Sequence, residues 1–257
     1  MARQRLDQLM VERGLAESRA RAQALVLAGR VFSGERRLDK PGQAVAADIE
    51  LRVRAPGRAY VSRGGIKLAH ALDHFGIDPA GSVALDLGAS TGGFTDVLLR
   101  RDAARVYAVD VGHGQLDWRL RNDPRVVVLE RANARHLTRE HVPEPVDLVV
   151  CDVSFISLEL ALPAALALAA RDARLVALIK PQFEVGKGQV GKGGVVRDPA
   201  LHEAVCGRIM RWLSDEQGWE VLGITPSPIT GPKGNREFLI VARRPAQSVL
   251  AEGRGCV

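Results

Sequence analysis

The sequence lacks several features that would place a protein outside the cell or in a membrane. It has three cysteines in 257 residues, Cys151, Cys206 and Cys256, and their spacing matches neither a disulfide framework nor a zinc site. The first residues, MARQRLDQLM, lack the apolar segment of a secretory signal. The apolar stretch LELALPAALALAA is too short to span a bilayer and contains a proline. We therefore expect a cytoplasmic protein with no structural metal and no membrane partner.

Positive charge is unevenly distributed along the chain. The formal net charge is +6, and residues 1–60 hold twelve lysines and arginines against seven acidic residues, so nearly all of the excess lies there. Basic regions attract polyanions, because neutralising phosphates releases their counterions. The distribution favours a nucleic acid partner, although an ordinary solvated basic surface would have the same composition.

Residues 1–60 have the pattern of a small α+β domain. RLDQLMVERGL has apolar residues at helical spacing, and a second helix is predicted between a cap at Ser18 and an end at Gly29. Two short β-like stretches follow, RVFSGERRL and ADIELRVR, and residues 55–63 are predicted to be a linker. The stretch RLDQLMVERGLAESRARAQALVLAGRV resembles an S4-type RNA-binding domain. The resemblance implies RNA contacts by Arg5, Arg19, Arg21, Arg30, Arg36 and Arg37, whose alternative role is to keep the helices soluble.

Residues 64–245 alternate apolar strands with amphipathic helical stretches, which is typical of a parallel sheet covered by helices on both faces. The connection between the last two predicted strands is too short for a crossover helix, so they should form a hairpin with the final strand antiparallel. This is the α/β arrangement of a Rossmann-like methyltransferase with a seven-stranded sheet. Residues 246–257 read as an uninformative tail. The predicted strands are SVALDLG, RVYAVDVG, RVVVLERAN, VDLVVCDVS, RLVALIK, WEVLGITPSP and EFLIVARR.

A glycine-rich segment, LDLGASTGGFTDVLL, contains the end of the first of these strands. Its glycine spacing differs from the dinucleotide fingerprint, and Asp86 would repel a pyrophosphate but attract an ammonium group. S-adenosylmethionine carries such a group and no phosphate, so we expect it as the cofactor, with NAD as the alternative. Asp110 is suitably placed for the ribose hydroxyls and Asn133 for the adenine. The predicted cofactor-binding residues are Asp86, Gly88, Ala89, Ser90, Thr91, Gly92, Gly93, Phe94, Asp110, Asn133 and Asp152.

Two lysines and two carboxylates are expected to meet at the carboxyl edge of the sheet. Asp152 and Lys180 end the fourth and fifth strands, Glu237 begins the last, and Lys67 lies in the first turn of a helix ahead of the first strand. These four residues match the K-D-K-E tetrad of FtsJ-type ribose 2′-O-methyltransferases. Segments such as VSRGGIKL, DVSFISL and KPQFEVGKGQVGKGGVVRDP resemble the TlyA family, which joins an S4 domain to an FtsJ-like domain. The resemblance implies methylation of cytidine ribose 2′-hydroxyls in 16S or 23S ribosomal RNA.

For that reaction, we expect Lys180 to orient the ribose hydroxyl and accept its proton. A lysine that is shielded from water and lies beside a second cation can act as a base. Lys67 would supply that cation, and Asp152 and Glu237 would fix the two lysines.

The long glycine-rich segment after Lys180 is predicted to form a rim over the bound RNA, because long loops are commonly functional or disordered. Lys187, Lys192 and Arg197 would contact phosphates there, and Phe183 would stack on a base or pack in the core. A solvated insertion without function is the alternative.

Two other functions are compatible with parts of the sequence. One is an RNA-binding ribosome-assembly factor without catalysis, against which the complete tetrad argues. The other is a membrane-active protein, which the haemolysin A label of TlyA relatives suggests, but the sequence has no spanning or strongly cationic amphipathic helix. We expect a monomeric enzyme whose partner is ribosomal RNA or a ribosomal subunit.

Overall fold

The computed structural model describes residues 3–27, 29–34, 36–53 and 60–246, and of Lys187 the backbone alone. Most of the predicted linker at 55–63, nearly all of the tail at 246–257, and Cys256 therefore lie outside the described residues. The chain divides into two compact units, residues 1–59 and residues 60–257.

Two short helices and several short antiparallel strands make up the first unit. The predicted helices are present as α1 (Leu6–Glu12) and α2 (Arg19–Leu27). The Ser18 hydroxyl accepts a hydrogen bond from the backbone N–H of Arg21 at 3.2 Å, and Gly29 follows α2 with a φ of +67°. The strands are β1 (Arg3–Arg5), β2 (Val31–Ser33), β3 (Arg36–Arg37), β4 (Ala44–Ala46) and β5 (Arg52–Val53). The buried core includes Leu6, Leu9, Met10, Ala22, Val26 and Val31.

A seven-stranded sheet forms the centre of the second unit. Its order is β11–β12–β10–β9–β6–β7–β8, in which β12 is antiparallel to both of its neighbours and the other pairs from β10 to β8 are parallel. The predicted mostly parallel sheet with an antiparallel last strand is thus confirmed. The strands are β6 (Val83–Leu87), β7 (Arg105–Asp110), β8 (Val126–Glu130), β9 (Val146–Cys151), β10 (Ala169–Ile179), β11 (Glu220–Pro226) and β12 (Phe238–Arg243).

Helices cover both faces of this sheet. Side chains alternate along a strand, so that Leu85 and Leu87 of β6 pack in one hydrophobic cluster and Ala84 packs in a second cluster. None of the helices in the described ranges has both the length and the apolar content that a bilayer span requires. The helices are α3 (Gly64–His74), α4 (Gly93–Arg100), α5 (Trp118–Arg121), α6 (Leu158–Ala161), α7 (Pro163–Leu168), α8 (Pro181–Glu184) and α9 (Pro199–Arg211).

The register of the sheet brings several polar strand ends to one edge. Asp152 follows the last residue of β9, and Lys180 follows the last residue of β10. Ile179 pairs with Phe238, the first residue of β12, so Glu237 stands at the same edge as Lys180. This edge is where ligands of open α/β sheets bind.

The segment after Lys180 contains more regular structure than the sequence predicts. It begins with α8 and continues with a 3₁₀ turn at Lys187–Gln189 and an isolated bridge between Gly191 and Val195. A proline at the first helical position favours a helix start, since its missing N–H would be unpaired there in any case. That the segment contacts RNA, rather than being a solvated insertion without function, stays a prediction.

Candidate active site

The two lysines and two carboxylates of the predicted tetrad lie together at the carboxyl edge of the sheet. The Nζ atom of Lys67 is 2.6 Å from Oε2 of Glu237 and 3.9 Å from Oδ2 of Asp152. The Nζ atom of Lys180 is 2.7 Å from Oδ1 of the same aspartate. Asp152 thus lies between the two lysines, and the four charges sum to zero.

Each of the four side chains is held by a different element. Lys67 is in the first turn of α3, and Glu237 directly precedes β12. Lys180 Nζ also donates to the carbonyl oxygen of Asp152 at 3.2 Å and lies 2.8 Å from the Ser154 hydroxyl. Three oxygens therefore fix the position of this amine.

The cluster is largely shielded from water. Lys67, Lys180 and Glu237 are exposed by 8%, 7% and 2% respectively. Buried charges are tolerated when they are paired, and each of the two amines here lies within 4 Å of a carboxylate oxygen. The backbone at Gly231 packs directly on Glu237, and a Cβ atom there would overlap the carboxylate.

A cavity of about 930 Å³ opens above the cluster. All four tetrad side chains line it, together with the glycine-rich loop after β6 and the segment 229–235 before β12. The volume lies within the range of small-molecule and cofactor sites. The cavity can therefore hold a ligand in direct contact with the buried amines.

The glycines of the loop after β6 allow backbone to approach closely. Gly88 has a φ of +79°, and a Cβ atom on it would lie 3.0 Å from the carbonyl oxygen of Asp152. Gly92 has a φ of +94° and packs against Leu120, where a side chain would overlap. Both positions require glycine, because other residues rarely adopt this left-handed conformation. The loop residues that line the cavity are Gly88, Ala89, Ser90, Thr91, Gly93 and Phe94.

Asp86 lies beneath this loop and is fully buried. Its Oδ2 accepts a hydrogen bond from the Thr95 hydroxyl at 2.7 Å, whereas Oδ1 has no hydrogen-bond partner among the described residues. Burial raises the pKa of Asp86 to about 7. Its side chain is outside the residues that line the cavity, so the predicted pairing with an ammonium group stays a prediction.

Asp110 and Asn133 are also outside the cavity lining. The carboxylate of Asp110 accepts the backbone N–H of Ser90 in the glycine-rich loop at 2.8 Å and that of Gly112 in the turn after β7 at 2.7 Å. Asn133 caps a 3₁₀ turn by accepting the N–H of Arg135. Their predicted contacts with ribose and adenine stay predictions.

The residues present nevertheless fit a nucleoside cofactor with an amino acid end. The glycine loop borders a cavity of suitable size, and the partnerless oxygen of buried Asp86 lies next to that loop. No group of three or more histidine, cysteine or acidic side chains in the described ranges is arranged to hold a metal ion.

Several arginines predicted to bind RNA have acidic partners within the first unit. Arg5 and Arg19 both bond to the buried carboxylate of Asp7, and the Arg5 hydrogen bond is the main cause that keeps the pKa of Asp7 well below its usual range. Arg37 pairs with Asp39 at 2.5 Å. The remaining arginines of the prediction, Arg21, Arg30 and Arg36, form no ion pair within the described ranges. Of the two predicted lysines, Lys192 is exposed, and the side chain of Lys187 is outside the described residues.

An aromatic pair at the cavity was missed in part by the sequence analysis. Phe155 is 89% exposed, has a φ of +66° and lines the cavity. Its ring centroid is 4.8 Å from that of Phe183, for which stacking was considered. Nothing in DVSFISL indicates an exposed phenylalanine, because an isolated aromatic residue after a strand more often packs in a core. A residue of this bulk with positive φ is a backbone outlier of the kind that clusters at functional sites.

Comparisons with known proteins agree with this geometry. Residues 60–244 match the FtsJ-like methyltransferase family, and residues 4–48 match the S4 domain. The Mycobacterium tuberculosis protein named 16S/23S rRNA (cytidine-2′-O)-methyltransferase TlyA is 52% identical over 97% of this chain and 93% of its own length. Hemolysin A of Brachyspira hyodysenteriae is 41% identical over 91% of this chain and 98% of its own.

A solved structure of a Streptococcus thermophilus protein superimposes with a TM-score of 0.71 at 41% identity, covering 95% of this chain and 90% of that one. The similarity thus extends through both units rather than through the methyltransferase part alone. The chain belongs to the FtsJ-like methyltransferase family and, within it, to the TlyA proteins, which carry an S4 domain at the amino end.

Proposed function

We propose that this protein transfers a methyl group from S-adenosylmethionine to the 2′-hydroxyl of cytidine ribose in ribosomal RNA, in the cytoplasm. The observation that carries the proposal is the buried cluster of Lys67, Asp152, Lys180 and Glu237 beneath the cavity that the glycine-rich loop borders. The activity for which the Mycobacterium tuberculosis relative is named, at 52% identity, supports this substrate.

The cofactor would bind against the loop Gly88–Phe94. The glycines of this loop have no side chain that would keep the cofactor away from the backbone. Asp86 lies buried beneath this loop with one oxygen that has no hydrogen-bond partner among the described residues, and Asp110 holds the loop through the N–H of Ser90. When bound, S-adenosylmethionine supplies a methyl group on a positively charged sulfur, which is an electrophile for a ribose oxygen.

Lys180 is assigned the proton transfer. With its amine neutral, it accepts the proton of the ribose hydroxyl as the oxygen attacks, a role that needs the amine within hydrogen-bond reach of the substrate. Asp152 and the Ser154 hydroxyl orient Nζ, and a hydroxyl can either accept from or donate to an amine as its charge changes. Much of the acceleration would come from holding the reacting groups in position.

Lys67 and Glu237 support that step without receiving the proton. Lys67 is 3.9 Å from the other oxygen of Asp152, so its charge limits how strongly this aspartate stabilises the ammonium form of Lys180. Glu237 fixes Lys67 through a 2.6 Å ion pair. The pair thereby sets both the geometry and the charge around the base.

The target nucleotide would leave the RNA stack to reach this depth, because a ribose within a duplex is inaccessible to a buried amine. Phe155 offers an exposed ring at the cavity on which the released base can stack, with Phe183 behind it. The S4 unit would bind RNA, and its candidates for phosphate contact are Arg21, Arg30 and Arg36, which form no ion pair within the described ranges.

The deciding experiment is methyl transfer to RNA from cells that lack this protein. Purified protein, labelled S-adenosylmethionine and either naked ribosomal RNA or isolated subunits should give label at cytidine 2′-oxygens, located by reverse transcription stops or mass spectrometry. Label on bases alone would reject the ribose assignment. RNA binding without any S-adenosylmethionine binding in calorimetry would instead favour a non-catalytic assembly factor.

A further inference from the structure

A second, smaller hollow of about 340 Å³ lies beside the catalytic cavity in the second unit. Two chain segments form it, residues 195–202 and residues 233–236. Lys233 lines both this hollow and the catalytic cavity, so the two spaces share one wall. The methyl-transfer mechanism above assigns nothing to this hollow.

Three cations surround the hollow: Arg197, Lys233 and Arg236. All three are exposed, and none has an ion pair or side-chain hydrogen bond within the described ranges. Many arginines elsewhere in the unit have an acid beside them, as Arg125 does with Asp123. Like charges gathered in a concave surface repel one another unless an anion lies between them, and they focus a positive potential there.

A buried asparagine side chain holds the backbone of both segments that carry these cations. The buried side chain of Asn235 donates to the carbonyl oxygens of Gly194 at 3.0 Å and Pro232 at 3.1 Å, and it accepts the N–H of Val196 at 3.1 Å. One side chain therefore ties both walls of the hollow together. The cations extend from a preformed frame, which reduces the entropy lost when a ligand binds.

Two further details support a constructed site. Lys233 has a φ of +58°, and a turn in which Gly231 N–H donates to the Asn235 carbonyl oxygen at 2.9 Å encloses it. At the base of the hollow, buried His202 is linked to the Val196 carbonyl oxygen at 3.0 Å through Nε2. Asp198 directs its carboxylate to the N–H of Ala200 at the start of α9 and is not among the lining residues.

We propose that this hollow binds a backbone phosphate of the RNA strand next to the nucleotide that enters the catalytic cavity. The proposal rests on the proposed function, since phosphates flank every ribose on both sides and Lys233 lines both the hollow and the cavity that would receive the ribose. Arginine is suited to this contact, because its planar guanidinium can hold two phosphate oxygens at once. The sequence predicts a phosphate contact for Arg197. The positions of Lys233 and Arg236 beside it are evident only from the folded structure.

The test uses the full-length double variant Arg197→Gln/Arg236→Gln, which leaves Lys233 in place because that residue also lines the catalytic cavity. Equilibrium binding of purified 23S ribosomal RNA is measured over a range of salt concentrations. Both arginines are proposed to contact the same phosphate, so its loss should reduce the slope of log affinity against log salt by about one and raise KM for RNA. Affinity for S-adenosylmethionine should not change.

Arg139→Gln/Arg171→Gln is the matched control, because it also removes two exposed arginines, and neither of them lines the hollow or the catalytic cavity. If the two double variants have the same salt slope, the phosphate site is rejected while the methyltransferase proposal stands. The Arg197→Gln/Arg236→Gln variant could instead have a smaller salt slope than the wild type while the wild type methylates no RNA. In that case the proposed function fails and the phosphate site stands. Thermal unfolding of each variant verifies that the fold is retained.

Discussion

The Nζ atom of Lys67 lies 2.6 Å from Oε2 of Glu237, and the two buried residues are 170 positions apart in the chain. Replacing Glu237 by Gln leaves a buried lysine without its main counter-charge, which costs about 3 kcal/mol in such pairs. We expect the unfolding free energy of the second unit to fall by that amount. Urea unfolding followed by tryptophan fluorescence measures it, because all three tryptophans lie in this unit.

The double variant Lys67→Met/Glu237→Gln separates stability from function. Removing both charges should recover most of the stability, since no unpaired buried charge is left, but methyl transfer should stay low. Equal loss of stability in the single and double variants would show that the pair is not a coupled unit.

Lys180→Ala should retain S-adenosylmethionine binding and lose methyl transfer. Removing a general base typically costs about 10²- to 10⁴-fold in rate. Single-turnover kinetics with saturating RNA measure the chemical step, and calorimetry measures cofactor affinity. Lys180→Arg is the control, because it keeps the positive charge but cannot serve as a base at neutral pH. An unchanged single-turnover rate in either variant would refute the assignment.

Phe155→Ala should weaken productive RNA binding without affecting stability. Stacking of a base on an aromatic ring contributes about 1–3 kcal/mol, so KM for RNA should rise by about fivefold to about 150-fold. The ring is 89% exposed, and surface substitutions usually change stability by less than about 0.5 kcal/mol. Met210→Ala, at another exposed apolar residue outside the cavity lining, should leave KM unchanged. Equal KM values for the two variants would exclude a stacking role.

Asp7→Asn should remove an acid-dependent part of the stability of the first unit. The Arg5 hydrogen bond is the chief cause that lowers the pKa of Asp7, assisted by Gln23 and Arg19 and opposed by burial. The ionised form therefore stabilises the unit above about pH 4, and this contribution is lost as the pH falls below that value. Hydrogen exchange of α1 and α2 in the intact chain, read by mass spectrometry, should show weaker protection and a flatter acid dependence in the variant. Identical pH profiles would contradict it.

Asp86→Asn should stabilise the second unit at alkaline pH, whereas Asp7→Asn should destabilise the first unit. Burial raises the pKa of Asp86 to about 7, and this effect outweighs the hydrogen bond from Thr95, which lowers the pKa. Stability from the neutral acid is complete below about pH 4 and is lost as the pH rises towards 7. Asn has the shape of the neutral acid, so the variant should be more stable than the wild type at pH 8 and equal to it near pH 4. A wild type that is more stable at both values would reject this account.

The sheet was predictable from sequence because buried strands are contiguous apolar runs and the short connection before β12 permits only a hairpin. The sheet edge then followed, and with it the proximity of Asp152, Lys180 and Glu237. Side-chain partners were less predictable. Arg5 and Arg19 look like free cations in the sequence, and their shared buried partner, Asp7, depends on how α1 and α2 pack.

Hydrogen bonds and close contacts of the backbone were also not predictable from the sequence. Asp110 satisfies the N–H groups of Ser90 and Gly112, a role that only the folded loop defines. The segment 229–235 carries little apolar pattern, so nothing in the sequence indicated that it encloses the cavity.

The position of β12 has a consequence for synthesis of the protein. This strand is the last of the described strands in sequence, yet it lies between β10 and β11, which are translated earlier. Each of these two strands therefore lacks β12 as a hydrogen-bonding partner until β12 has been translated, and Glu237 can pair with Lys67 only then. The catalytic cluster is therefore complete only after β12 has been translated.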